Sequence, residues 1–178
     1  MVYLFLANGF EDIEALAPLD ILRRGNVEIK TVGVGGEVIT SSKGVPMKCD
    51  ITENEVRLDK IEAIILPGGI PGTPNLKKSK VVNMTVDYAA ENNKLICAIC
   101  AAPSILFEKG LLNGKKATCY PGFEEGYDVV YTAEGVTKDG NFITGKGAGV
   151  CIEFGLEILG TLKGKEIADN VAEGMMCK

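Results

Sequence analysis

Leu95-Ile96-Cys97-Ala98-Ile99-Cys100-Ala101-Ala102-Pro103 passes from five continuous apolar residues to a proline suited to the first turn of a helix. Continuous rather than alternating apolarity marks a strand covered on both faces, as in parallel sheets. A buried strand that runs at Cys100 directly into a helix has the layout of a nucleophile elbow. Such a turn lifts one side chain above the sheet, and small Ala101 and Ala102 let other backbone approach it. The helix N-terminus adds unpaired N–H groups and partial positive charge, both of which favour a thiolate at Cys100. A plain buried cysteine ending a strand explains this segment alone equally well, so the surroundings have to decide.

Moving outward, residues 2–7, 27–34 and 61–66 are further apolar runs with the composition of buried strands. Ile13, Leu16, Ala17 and Ile21 fall at helical spacing between Glu11 and Arg24, with Gly25 placed as a C-cap. Helices are also predicted over 79–92, 102–109, 150–162 and 165–175. Gly35-Gly36 opens a short antiparallel excursion through residue 50, and short strands are predicted at 117–120, 129–132 and 141–144. Strand, helix and loop alternating in this order predict an α/β protein: a doubly wound, flavodoxin-like, mostly parallel sheet flanked by helices on both faces. Its crossovers are right-handed and its ligands sit at the carboxyl ends of the strands. No linker divides the chain, so one domain over residues 1–178 is expected.

Composition narrows the function. The 178 residues are 46% hydrophobic and 24% charged, as in ordinary globular proteins. A net charge of −5 argues against a nucleic-acid partner, and Lys77-Lys78-Ser79-Lys80 reads as the solvated start of a helix. The apolar runs are too short for a membrane span or a signal-peptide core, so a soluble, cytoplasmic protein with reduced thiols is expected. The six cysteines are Cys49, Cys97, Cys100, Cys119, Cys151 and Cys177, and there is no histidine. That absence excludes every intrachain Cys-His or Ser-His pair and all His-dependent zinc sites.

Three motifs compete with the elbow. Gly140 to Gly147 nearly matches a phosphate-binding loop, but lacks the magnesium-binding hydroxyl and is strand-like inside. Gly145, Gly147 and Gly149 could nest an anion, although a tight strand-to-helix turn explains them more simply. Cys97 and Cys100 have dithiol spacing, yet Cys97 falls within the apolar strand, where thiols are inert. No second close pair of ligands supports zinc, and no metal or cofactor is called for.

The other loops strengthen the elbow. Gly68-Gly69, after the 61–66 strand, would share the carboxyl edge with Cys100, where the Gly69 and Ala101 N–H groups can stabilise an oxyanion. Asn8 to Glu14 brings three carboxylates there. Glu11 and Asp12 read as solvated helix-start acids. Glu14 differs because Pro18 lies four residues on, which predicts a local bend. A carboxyl turned inward at that bend is desolvated and partly protonated, fit for proton transfer.

Taken together, Gly9-Phe10-Glu11-Asp12-Ile13-Glu14, Leu66-Pro67-Gly68-Gly69, Ala98-Ile99-Cys100-Ala101-Ala102-Pro103 and Thr144-Gly145-Lys146-Gly147 resemble the ThiJ/PfpI superfamily, in the branch of the human Parkinson-associated deglycase. The resemblance runs in order through nearly the whole chain. It implies Cys100 as nucleophile, Glu14 as partner acid, Gly69 and Ala101 as backbone donors, and Gly68, Cys119 and Tyr120 as pocket residues. Where many relatives carry a histidine, Thr118-Cys119-Tyr120-Pro121 has none, which speaks against a Cys-His peptidase or amidase. The implied activity is cofactor-independent glyoxalase or deglycase chemistry on small aldehydes or dicarbonyls, in a homodimer. A redox sensor or chaperone, with Cys100 oxidised to a sulfinate beside Glu14, is the alternative.

Overall fold

The computed structural model describes residues 1–177. β1 (Val2–Ala7) leads into α1 (Asp12–Arg24), then β2 (Ile29–Val34), the hairpin β3 (Val38–Thr40) and β4 (Pro46–Lys48), and short β5 (Ile51–Thr52). β6 (Ala63–Leu66) is followed by α2 (Gly72–Lys78) and α3 (Lys80–Glu91), and β7 (Leu95–Ile99) by α4 (Pro103–Glu108). Beyond them come β8 (Lys116–Ala117), β9 (Val130–Tyr131), β10 (Val136–Asp139), β11 (Phe142–Gly145), α5 (Cys151–Lys163) and α6 (Lys165–Gly174).

The main sheet has seven strands in the order β10-β11-β7-β6-β1-β2-β5. All its pairs are parallel except β10 with β11. Apolar side chains alternate between two cores. Val2, Leu4 and Leu6 of β1 pack with Leu22 of α1 and Phe154 and Ile158 of α5 on one face. Tyr3, Phe5 and Ala7 pack with Leu76, Val86 and Leu106 from α2, α3 and α4 on the other. Burying a large apolar side chain contributes about 1.5–3 kcal/mol relative to leaving it exposed, so a sheet covered on both faces is what these runs require. The α/β, doubly wound, helix-flanked architecture is the predicted one. The chain proceeds from β1 to β2 on one side and later to β6 on the other. The switch point, where ligands of such sheets bind, therefore lies at the carboxyl ends of β1 and β6, one strand from β7.

Local differences from the predicted elements have physical causes. Residues 72–78, outside the predicted helices, form α2, because Pro74 falls in its first turn, where a missing N–H costs nothing. Lys77-Lys78 accordingly ends α2 rather than starting the next helix, and the Ser79 hydroxyl caps α3 by accepting from the Val82 N–H at 3.2 Å. β10 adds an unpredicted antiparallel edge. The strand predicted at 117–120 stops after Ala117, since the Thr118 N–H turns to the Thr144 hydroxyl at 2.9 Å. α1 is continuous across Pro18, with no break at Glu14. Among the described residues no helix is long and apolar enough to cross a membrane.

Candidate active site

Three loops converge above the carboxyl edge. At the end of β7, Cys100 adopts φ +63°, a left-handed conformation unusual for a residue with a β-carbon. Its neighbours over-determine it. The Cys100 N–H donates to the Gly145 carbonyl of β11 at 2.9 Å, and its carbonyl accepts from the Tyr120 N–H at 2.8 Å. The N–H groups of Ala101 and Gly69 both hydrogen-bond the sulfur. The two predicted donors thus sit on the sulfur of the candidate nucleophile.

From β1 comes Glu14, in the first turn of α1 and only 1% exposed. Glu11 caps this helix, its carboxylate accepting from the Glu14 N–H at 2.9 Å, so Glu11 is structural. Glu14 points inward, accepts from the Gly68 N–H at 2.9 Å and hydrogen-bonds the Cys100 thiol. From β6 come the glycines. A β-carbon on Gly68 would lie 2.6 Å from Glu14 Oε2 and 2.7 Å from the Cys100 β-carbon, so only glycine allows this approach. Gly69 has φ +97° and no room for a side chain against the Glu11 N–H and the Gly9 carbonyl.

The electrostatics differ from the predicted thiolate. Burial, reinforced by the Glu14 charge and by Glu14 accepting the thiol proton, pushes Cys100 up to about 12 despite the two backbone donors. The expected helix dipole is weak, because α4 is six residues long and begins three positions after Cys100. Burial also raises Glu14 to about 7, with the Glu11 charge adding to it. The pair therefore shares protons. A protonated Glu14 turns from acceptor to donor and removes the charge that opposes a thiolate, so the two states of Glu14 bear directly on the ionisation of Cys100.

Cys119 and Tyr120 are placed beside this centre rather than in it. Buried Cys119 directs its thiol to Glu124 Oε2 at 3.4 Å, while Tyr120, 54% exposed, sets its ring edge-on to Phe123 and beside Gly147. Cys97 is wholly buried in β7, where burial drives its ionisation far up, and all six cysteines are free. The phosphate-loop candidate is strand β11 followed by Lys146, whose ammonium donates to the Ala133 carbonyl at 3.2 Å. One neighbour escaped notice in the sequence. Cys151, at the start of α5, is pushed up to about 12 by burial, with the charges of nearby Glu14, Glu11 and Cys100 adding to it. The glycine-rich turn before it was the available signal. Among the described residues no cluster of three or more Cys, Asp or Glu side chains is gathered for a metal ion.

A cysteine on a strained elbow, bonded to a buried glutamate at the switch point of a doubly wound sheet, defines a class of cysteine-centred α/β proteins. The chain belongs to the DJ-1/PfpI family, whose sequence profile matches residues 1–161. It is 36% identical to the protein dj-1beta of Drosophila melanogaster over 176 residues, covering 96% of this chain and 94% of that one. It is 31% identical to the glutathione-independent glyoxalase DJR-1.2 of Caenorhabditis elegans, covering 90% and 87%. The crystal structure of a cysteine-to-alanine mutant of a DJ-1 superfamily protein from Salmonella typhimurium superposes with a TM-score of 0.93 at 34% identity, covering 98% and 97%.

Proposed function

We propose that this protein is a cofactor-independent glyoxalase-type enzyme that converts 2-oxoaldehydes to 2-hydroxy acids. The observation that carries this reading is the buried Glu14 carboxyl, held by the Gly68 N–H and hydrogen-bonded to the Cys100 thiol. The sulfur attacks the aldehyde carbon, and the proton of the pair passes to the carbonyl oxygen, giving a hemithioacetal. Glu14 then takes the proton from that carbon and returns one to the neighbouring ketone carbon, while the hydroxyl proton of the hemithioacetal passes to the ketone oxygen, leaving a 2-hydroxy thioester. Water releases the acid and restores the thiol. No imidazole is required, because no amine leaving group is protonated. Reversal of early sugar-derived adducts on amines is the related deglycase, or hydrolase, activity of the same addition. The glyoxalase name of the C. elegans relative supports the substrate class.

The six free thiols suit a reducing, cytoplasmic setting. Ile13, Leu16 and Ile152, apolar yet 53%, 41% and 44% exposed, suit the face of a homodimer. A second reading is favoured by the donors around the sulfur: two N–H groups and a protonated Glu14 would also hold a Cys100 sulfinate formed by peroxide, as in a redox sensor. Kinetics separate the two. Purified protein is expected to form lactate from methylglyoxal without added metal or nucleotide, with Cys100→Ser at least about a thousandfold slower. Lactate formation equal in both proteins would overturn the enzymatic reading and leave the sensor.

A further inference from the structure

A cavity of about 320 Å³ opens beside the active site, between α2, α4 and residues 122–127. Ile70, which follows Gly69, and Ser104, four residues after Cys100, belong to its wall, so the cavity borders the two loops that carry the reacting centre. Its lining has an uncommon chemistry. Thr73 is 3% exposed, and its hydroxyl has no hydrogen-bond partner among the described residues. Buried hydroxyls are rarely left so, but this oxygen is itself covered, and recognition in the cavity rests on the groups that face it. Two rings are held with little freedom: Phe123 meets Tyr120 edge-on at 6.3 Å, and Tyr127 stacks on Phe107 at 5.4 Å.

Charge decides what those rings face. Lys77 is committed to Glu108, with the Tyr127 hydroxyl 3.5 Å from the same carboxylate, so it is not free for an anion. Glu125 lines the cavity without an ion pair among the described residues. A ring-walled space with one uncompensated carboxylate attracts an organic cation through the ring faces and the charge together. We infer that this cavity is a specificity subsite for the far end of the substrate, selecting 2-oxoaldehydes whose apolar or aromatic stem carries an ammonium or guanidinium group. The inference rests on the reading of Cys100 as nucleophile, and adds to it that small dicarbonyls leave much of the site unused.

The test compares initial rates for phenylglyoxal and its 4-trimethylammonium and 4-carboxylate derivatives, together with binding of unreactive phenyltrimethylammonium to Cys100→Ser by amide NMR shifts. The expected kcat/KM ratio of cationic to anionic probe is about tenfold, falling toward one in Glu125→Gln, with shifts centred on residues 122–127. Phe123→Leu should weaken phenyltrimethylammonium binding about threefold or more. A ratio near one with no shifts at 122–127 overturns the subsite, even if methylglyoxal is consumed. Shifts at 122–127 that disappear in Glu125→Gln uphold the cation site even if no dicarbonyl is turned over, in which case only the catalytic reading falls.

Discussion

Two stretches of chain border Cys100 and are built on opposite terms. At the β1, β6 and β7 ends, Glu14, Gly68 and Cys100 are packed so tightly that one added carbon finds no space, and every polar group named there is hydrogen-bonded. Residues 118–127 lie alongside, tied to the elbow by the Tyr120 N–H, with Tyr120 and Glu125 exposed. The first stretch fixes atoms to fractions of an ångström, as proton transfer demands; the second presents rings and a charge to whatever enters. Chemistry is thereby separated from selection. Substitutions in the first should be severe whatever the substrate, and substitutions in the second mild and substrate-dependent.

Gly68→Ala is the strongest way to break the contrast. Its β-carbon would meet Glu14 Oε2, the Cys100 β-carbon and the Ile99 carbonyl, the last at 3.0 Å; the Cys100 β-carbon and the carbonyl cannot swing aside, and Glu14 can yield only by leaving the site. A cost of about 3 kcal/mol in thermal unfolding and a loss of about a hundredfold in turnover are expected. An alanine variant with native stability and rate would show that the edge is softer than its geometry.

The fold and the centre of this rigid edge were legible in the sequence because both rest on short-range rules. Continuous apolar runs specify covered strands, and a strand breaking at Cys100-Ala101-Ala102-Pro103 specifies an elbow. Glu14 was legible as well, though through Pro18, and the helix shows no break there. Residues 115–139 were not. Two-residue strands β8 and β9 and edge strand β10 owe their existence to partners distant in sequence, such as the hydroxyl of Thr144, and carry little periodicity of their own. The protonation of Cys100 was misread for a related reason. Dipole arguments use sequence neighbours, while burial and the Glu14 charge come from the assembled fold.

Glu14→Gln sharpens the comparison by keeping the shape and removing the titration. Wild-type Glu14 titrates near 7 in the folded state against an ordinary value of 4.5, so the folded protein holds this proton more tightly than the unfolded chain. The associated stability is complete below about pH 4.5 and is lost as pH rises through 7, on the order of 3 kcal/mol from about 1.4 kcal/mol per unit. Chemical unfolding should show the stability of wild type relative to the Gln variant falling between pH 4.5 and 7 and becoming constant above about 8. The thiol of the variant should also ionise below the wild-type value of about 12, since the carboxylate charge is gone. A pH-independent difference would mean that Glu14 is ionised throughout and cannot shuttle the proton.

The smallest effect is expected at Tyr120, in the segment where the family resemblance leads one to look for a histidine and this sequence has none. Its N–H is committed to the Cys100 carbonyl and its ring to Phe123, while its hydroxyl makes no hydrogen bond among the described residues. The backbone link survives any side chain, so the phenol should be dispensable and the ring worth about 0.5–1.5 kcal/mol as half of an aromatic pair. Tyr120→Phe should therefore keep kcat for methylglyoxal within about twofold, whereas Tyr120→Ala should raise KM for aryl dicarbonyls several-fold with little change in kcat. A fall of tenfold or more in kcat for Tyr120→Phe would instead make the hydroxyl a proton carrier standing in for imidazole. The division between a rigid reacting edge and a selecting segment would then fail at the residue where the two touch.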